Sequence, residues 1–97
     1  INIQYVKMLT SDSMTEIVTK KLNKLGNKYD WVINANVFFK LENDAAGVGN
    51  ICEIELSIPG PKIFASSKEK NFELAAKNTV SDLEKQLSKR KATFIQH

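Results

Sequence analysis

The fold is decided by residues 33–58, which read INANVFFKLENDAAGVGNICEIELSI. Apolar and polar side chains alternate over Ile33–Leu41 and again over Cys52–Ile58, which is the two-residue period of strands that bury one face. The segment between them, Glu42–Asn50, is polar and contains two glycines, which favours a hairpin loop. We therefore expect two neighbouring strands, each with one apolar face.

A short strand and a helix precede this hairpin. Apolar side chains occupy every second position from Ile1 to Tyr5, which predicts a first strand. Ser11 is the expected N-cap of the helix, and Ser13 with Glu16 forms a second candidate capping box. The apolar residues that follow recur every three or four positions, as in an amphipathic helix of about four turns. They are Met14, Ile17, Val18, Leu22, Leu25 and Tyr29.

A turn, a fourth strand and a second helix follow the hairpin. Pro59–Pro61 contains a glycine between two prolines and predicts a tight turn, and Lys62–Ser67 predicts a short strand. The last helix is expected to start at or just before Asn71. Its apolar stripe consists of Phe72, Ala75, Ala76, Thr79, Val80, Leu83 and Leu87.

The resulting element order is β-α-β-β-β-α, which predicts an α+β fold. Because each strand has one apolar face, we expect a four-stranded sheet with both helices packed on its single apolar face. The opposite face is then solvated. It carries Glu53 and Glu55, and we expect it to be acidic.

Composition limits the class of protein. The chain has 97 residues, of which 42% are hydrophobic and 26% charged, and we interpret residues 1–97 as a single globular domain. No apolar run approaches the roughly 18 residues of a membrane span, and no signal segment opens the chain. The single cysteine, Cys52, excludes an internal disulfide and fits a reducing compartment. One cysteine and one histidine, His97, do not suffice for a thiolate–imidazole zinc site, so we expect neither metal nor cofactor.

The charges are segregated along the chain. The formal net charge is +3, but residues 1–29 carry five lysines against two acids, and residues 62–97 carry eight bases against four acids. Residues 30–61 carry one lysine against five acids. A small domain with this distribution can present opposite potentials on opposite faces. The alternative is that the charges only solvate the surface.

The lysines of the first helix lie on one flank. At about 100° per residue, one flank of this helix carries four lysines, and the opposite flank carries no basic residue. The four are Lys20, Lys21, Lys24 and Lys28. On the last helix, Lys85 and Lys89 share a flank, whereas Lys77 and Glu84 lie on the other. We expect the end of this helix to extend beyond the sheet, with Lys89, Arg90 and Lys91 exposed. If the helices lie side by side, their lysines form one patch suited to a polyanion.

No catalytic motif is evident, and we predict that the chain is not an enzyme. Cys52 falls mid-strand on the inferred core face, where packing is favoured over a nucleophilic role. Glu53 and Glu55 are an i, i+2 carboxylate pair suited to acid–base or metal chemistry, but a solvated outer face explains them more simply.

Three aromatic residues are candidates for contact surfaces. Trp31 opens the second strand, and it can either stack on a base or partner protein or cover the edge of the core. Phe38 and Phe64 have the same two interpretations, with edge packing first and a contact surface second.

Five stretches of the sequence together resemble one known family. They are Val18–Leu25, Tyr29–Asp30, Ile58–Ala65, Phe72–Ala75 and Leu83–Lys91, in this order and spacing. The chain resembles the ribosome hibernation-promoting factors, the group of the ribosome-associated inhibitor and the sigma-54 modulation protein. The resemblance covers essentially the whole chain, and the fold that it implies resembles a double-stranded-RNA-binding domain.

The resemblance implies a cytoplasmic or plastid protein that binds the small ribosomal subunit. It implies contacts with ribosomal RNA, and with ribosomal proteins as further partners, in the channel between head and platform where messenger and transfer RNA bind. Translation is then silenced under stress or starvation, without a small-molecule substrate. The RNA-facing residues implied by position are Lys20, Lys21, Lys24, Lys28, Lys85, Lys89 and Lys91, and Arg90 joins them as a further base.

The chain departs from the family pattern at several positions. Glu84 and Ser88 stand where many relatives carry bases, which implies weaker binding by the last helix. Arg90 replaces a common aromatic or histidine and partly compensates. Gly26 replaces a polar helix former and weakens the end of the first helix. Because the sequence ends near residue 97, the resemblance implies the short form of the family, without the second, dimerising domain of its long relatives.

Two other functional classes are compatible with the residues. The first alternative is a generic double-stranded-RNA-binding module, which would bind a plain duplex and ribosomes with comparable affinity. The second is a small enzyme on an α+β sandwich, which would require a pocket lined by perturbed carboxylates.

Overall fold

The computed structural model describes the backbone of residues 1–44 and 47–95 and the side chains of residues 1–43 and 49–93. Four strands and two helices follow one another in the order β-α-β-β-β-α, as the sequence predicts. The elements are β1 (Asn2–Val6), α1 (Asp12–Lys28), β2 (Asn34–Asp44), β3 (Gly47–Ser57), β4 (Ile63–Glu69) and α2 (Phe72–Ile95).

The four strands form one mixed sheet in the order β1-β2-β3-β4. β1 pairs with β2 in parallel, and α1 makes the crossover that a parallel pair requires. The other two pairs are antiparallel. In the central pair, Val37 lies opposite Ile54 and Phe39 opposite Cys52, so the apolar sides of both strands coincide.

Both helices cover the same face of this sheet, as predicted. One buried cluster joins helical residues such as Leu22 and Leu83 to strand residues such as Val37 and Ile54. Phe39 is fully buried at its centre, and its ring packs edge-on against Phe72 at 5.5 Å between ring centroids. The two helices therefore lie side by side over a shared core, and the opposite face of the sheet is solvated.

The predicted helix starts are confirmed. The Ser11 hydroxyl accepts a hydrogen bond from the backbone N–H of Met14 at 3.3 Å and caps α1. The Asn71 side chain accepts one from the N–H of Leu74 at 2.8 Å at the start of α2. Gly26 does not shorten α1, which continues to Lys28.

The predicted hairpin loop over Glu42–Asn50 is wrong in its bounds. β2 continues to Asp44, β3 begins at Gly47, and the pairing of the two strands is unbroken over this stretch. Ala45 and Ala46 lie outside the described residues. The end of the hairpin projects beyond the helices, since Leu41 is 47% exposed although its side chain is on the helix side of the sheet. The polar residues of this segment therefore reflect its exposure to solvent and do not mark the end of the pairing between β2 and β3.

Gly49 gives this extension room for a cross-strand ion pair. A Cβ at Gly49 would collide with the side chain of Lys68, which lies across it. The Lys68 Nζ reaches the Glu42 Oε1 at 3.3 Å, so the pair links β4 to β2 over β3. A larger residue at position 49 would therefore displace the Lys68 side chain from its present position.

Cys52 and Thr79 join the sheet to α2 inside the core. The Thr79 hydroxyl lies 2.8 Å from the carbonyl oxygen of Ala75 and 3.0 Å from that of Cys52. Burial raises the pKa of the Cys52 thiol to about 12, so the thiol is neutral at physiological pH. This environment agrees with the packing role predicted for Cys52.

Candidate nucleic-acid interface

α1 and α2 enclose a basic groove of about 450 Å³ on the side of the molecule away from the sheet. We call it the interhelical groove. Its lining from α1 includes Lys21, Lys24 and Lys28, three of the lysines that the helical period places on one flank. The remaining lining residues are Leu25, Lys77, Val80, Ser81 and Glu84. Four ammonium groups and one carboxylate thus line the groove.

The α2 side of the groove differs from the sequence-based expectation. The flank of α2 that faces α1 carries Lys77 and Glu84, not Lys85 and Lys89. Lys77 is therefore a candidate site residue that the sequence analysis missed. Val80 supplied a signal for it, because this apolar residue lies one turn from each of Lys77 and Glu84 and indicates a flank covered by a neighbouring helix.

A second concavity of about 350 Å³ extends the interhelical groove along α2. It shares Lys28, Ser81 and Glu84 with the first part, and adds Tyr29, Lys85 and Ser88. Lys85 therefore lines the extension of the groove, although it is not among the residues between the two helices.

An ion pair crosses the groove from one helix to the other. The Lys28 Nζ lies 2.8 Å from the Glu84 Oε1, and the two side chains are 60% and 45% exposed. This hydrogen bond and the charge of Glu84 raise the pKa of Lys28 above its ordinary value. Lys28 is therefore the one groove lysine that a carboxylate neutralises within the described part of the chain.

Lys91 also approaches this region. Its Nζ lies 6.0 Å from the centre of the Tyr29 ring, and that of Lys28 lies 5.6 Å from the same ring. Both ammonium groups thus meet at the aromatic ring that follows α1. The structure therefore brings together Lys21, Lys24, Lys28, Lys77, Lys85 and Lys91.

The other three predicted site residues lie elsewhere on the helices. Lys20 is exposed and pairs with Glu16 one turn away, at 3.0 Å. Lys89 is exposed and rotated by about 40° from Lys85 towards the β4 side of α2. Arg90 is half-buried, and its Nη1 lies 3.4 Å from the carbonyl oxygen of Pro61. The expectation of an exposed Arg90 is wrong, because the turn before β4 reaches alongside α2.

On the face of the sheet opposite the helices, the described residues carry no excess of acidic charge. We call this face the outer sheet face. Glu53 and Glu55 lie on it, as predicted, but each carboxylate has a lysine partner. The pairs are Lys40–Glu53 at 2.8 Å, Lys62–Glu55 at 3.4 Å and Lys68–Glu42 at 3.3 Å. Among the described side chains, each of these glutamates is thus balanced by a lysine, and the expected excess of negative charge is not found there.

The aromatic candidates divide between edge packing and exposure. Trp31 packs against the core, with its ring edge-on to Tyr29 at 5.8 Å between ring centroids. On the outer sheet face, Phe38 is half-buried and Phe64 is 53% exposed. Trp31 thus packs at the edge of the core, whereas Phe64 is exposed on the surface.

The described residues form neither a cluster of metal ligands nor a membrane-spanning helix. Over residues 1–44 and 47–95, no group of three potential metal ligands from His, Cys, Asp or Glu comes together. His97 lies outside the described residues. Within the same part of the chain, neither helix is long and apolar enough to cross a membrane.

Comparisons with known proteins identify the family. The sequence model described as Sigma 54 modulation protein / S30EA ribosomal protein matches residues 1–94. A ribosomal subunit interface protein from Coxiella burnetii has a similar fold, with a TM-score of 0.81, 24% identity and coverage of 95% of this chain and 99% of that one. The N-terminal domain of Thermus thermophilus Protein Y is also similar, with a TM-score of 0.71, 20% identity and coverage of 92% and 98%.

No curated protein sequence matches the chain. At these identities the two structural likenesses concern the fold alone, whereas the family match extends over 94 of the 97 residues. The chain belongs to the Sigma 54 modulation protein / S30EA ribosomal protein family, as its five sequence motifs predict.

Proposed function

We propose that this protein is a ribosome hibernation factor. In this proposal it binds the small ribosomal subunit, occupies the channel for messenger and transfer RNA, and inhibits translation under stress. The observation that carries the proposal is the interhelical groove with its extension along α2: five lysines line it, and a sixth, Lys91, lies near Tyr29, which lines the extension. Family membership adds the ribosome as the polyanion that such a groove fits.

The proposed mechanism is occlusion without a chemical reaction. Each groove lysine presents an ammonium group at the end of a flexible stem, which suits contact with phosphates at slightly different positions. Phosphate contacts orient a protein on nucleic acid without reading its sequence. Selectivity for the channel then comes from its shape, because several RNA segments contact one rigid domain at once.

The residues divide into roles under this proposal. We propose that phosphates are contacted directly by the five lysines that line the groove and its extension, and by Lys91, which lies beside Tyr29. The five are Lys21, Lys24, Lys28, Lys77 and Lys85. Lys20 and Lys89 add a peripheral contribution from the outer helix surfaces. Arg90 contributes mainly through its packing against the turn before β4.

Cytoplasmic localisation and contact with ribosomal RNA belong to the same proposal. The ribosome is the site of action, and the basic groove supports RNA over ribosomal protein as the main contact. The neutral outer sheet face is then directed away from the phosphates. Its ion pairs reduce the repulsion that an acidic face would exert on nearby RNA.

Co-sedimentation with purified small subunits tests the proposal. Six phosphate contacts predict that log K falls against log salt with a slope of about −4 to −5. Excess plain RNA duplex is added as a competitor. We expect retention of the complex in the presence of duplex, together with inhibition of translation in a purified system.

Two outcomes would contradict this function. Efficient release of the chain by plain duplex would favour the generic double-stranded-RNA-binding module. Absence of binding to small subunits at low salt would overturn the ribosomal assignment itself.

A further inference from the structure

Glu84 is the acidic residue among the described residues that line the interhelical groove. Lys21, Lys24 and Lys77 line the same groove and have no ion-pair partner in the described part of the chain. Lys28 alone is neutralised, by the contact of 2.8 Å that crosses from α1 to α2. The groove therefore contains one lysine in a different electrostatic state from the other three.

The pair between Lys28 and Glu84 lies where a ligand in the groove would bind. Lys28 and Glu84 line both parts of the groove, so a chain of phosphates that runs along the groove passes over the pair. A carboxylate oxygen and a phosphate oxygen bind an ammonium group in the same way. Glu84 therefore occupies the place that a phosphate takes when it binds Lys28.

The pair is also easy to open. Both side chains are substantially exposed, and exposed ion pairs are weak and screened by salt. The Lys28 ammonium group also lies 5.6 Å from the centre of the Tyr29 ring, an attraction that does not depend on Glu84. The lysine thus remains at the groove when the carboxylate leaves it.

We propose that Glu84 is an internal competitor for RNA phosphate: it holds Lys28 in the free protein and must be displaced before Lys28 contacts RNA. This inference rests on the proposed function of the groove and adds its regulation. Glu84 lowers the affinity for any RNA that uses Lys28, and so favours release of the protein from the ribosome. It also lowers the salt dependence of binding, because salt weakens the internal pair and the RNA contact together.

Four variants test this proposal in quantitative binding to small ribosomal subunits across a salt series. Glu84→Gln keeps the size of the side chain and removes the charge. Asp82→Asn makes the same change of net charge on the same helix, on the flank of Gln86, which its carboxylate contacts at 3.4 Å. Lys28→Met keeps an apolar stem without the ammonium group. The fourth variant combines Lys28→Met with Glu84→Gln.

Glu84→Gln is expected to gain affinity, because the contact of Lys28 with phosphate no longer has to displace a carboxylate. At about 0.1 M salt this gain corresponds to roughly fivefold tighter binding, and it steepens the salt slope by about 0.7 to 0.9. Asp82→Asn is expected to change the affinity by less than about twofold, because it alters only the net charge. In the Lys28→Met background, Glu84→Gln should have no more effect than Asp82→Asn.

The outcomes separate this inference from the proposed function. If the wild-type chain binds small subunits but Glu84→Gln and Asp82→Asn have equal effects, Glu84 is not a competitor, and the groove function stands. An equal gain from Glu84→Gln with and without Lys28 also overturns the inference, because displacement from Lys28 requires that lysine. Failure of the wild-type chain to bind at all overturns both.

Discussion

The interhelical groove and the outer sheet face both carry lysines, and they differ in what lies beside each one. On the outer sheet face, Lys40, Lys62 and Lys68 each contact a glutamate within 3.4 Å. In the groove, a carboxylate contacts Lys28. Among the described residues, Lys21, Lys24 and Lys77 have no carboxylate partner. Basic potential in this fold therefore depends on pairing between elements, not on the number of lysines.

The difference arises from the two kinds of secondary structure. In the sheet, side chains from neighbouring strands lie close together, so opposite charges on the same face form ion pairs. Along one flank of a helix, lysines three or four residues apart are neighbours of one another and repel. The helix pair thus concentrates positive charge, whereas the sheet cancels it.

The largest effect is expected from reversing two charges in the groove. Lys24→Glu combined with Lys28→Glu removes two phosphate contacts and adds two repulsive charges. We expect affinity for small ribosomal subunits at about 0.1 M salt to fall by about 100-fold or more. The measurement is co-sedimentation, with circular dichroism to verify that the variant is folded.

The matched control reverses two lysines outside the groove. Lys62→Glu with Lys70→Glu changes the net charge by the same amount at two exposed positions. We expect this variant to lose several-fold less affinity than the groove variant. Equal losses would mean that total charge, and not the groove, determines binding.

Lys77 sharpens the comparison, because only the structure identifies it. Lys77→Glu removes one contact from the α2 wall of the groove, and we expect about tenfold weaker binding. The same reversal at Lys89, on the β4 side of α2, should have a smaller effect. A larger loss at Lys89, measured in parallel titrations, would place the RNA on the outer flank of α2.

The outer sheet face is expected to tolerate the opposite change. Glu53→Lys combined with Glu55→Lys breaks two cross-strand ion pairs and makes this face basic. Binding to small subunits should not weaken, whereas the free energy of unfolding should fall by about 1 kcal/mol. Chemical denaturation measures the second effect. A large loss of ribosome binding would show that the sheet, not the groove, is the binding face.

The smallest effect is expected at Cys52, in the core between these two surfaces. Its pKa of about 12 leaves little thiolate at pH 8, so a thiol reagent should react with the unfolded chain and not with the native protein. Because the folded-state pKa is raised, stability from this group is fully present below the ordinary thiol pKa of 9.0 and is lost as pH rises towards 12. Cys52→Ala should remove this contribution to the loss of stability at alkaline pH. Rapid labelling of native protein at pH 8 would contradict this account.

The elements of this fold follow from local patterns. The alternation over Ile33–Leu41 and the helical spacing of Leu22 and Leu25 each define one buried face, and only one layer arrangement buries all of them. Ser11 and Asn71 mark the helix starts because their side chains satisfy free backbone N–H groups. These features depend on residues that are close together in the chain, so they can be predicted from the sequence alone.

The missed features depend on contacts between elements. The neutral outer sheet face requires the strand register, and the role of Lys77 requires knowledge of which flank of α2 faces α1. Arg90 contacts Pro61, 29 residues away, so its position on the helical wheel did not reveal its partner. Contacts of this kind decide which of the predicted bases remain available to RNA.

Lysine acetylation measured on the small-subunit complex tests the central claim most directly. The chain is treated with an acetylating reagent in the free and bound states, and modification of each lysine is quantified by mass spectrometry. We predict that Lys21, Lys24, Lys77 and Lys85 are protected in the complex, whereas Lys62 and Lys70 react equally in both states. Protection of Lys62 and Lys70 with full reactivity of the groove lysines would contradict the proposal that RNA binds between the helices.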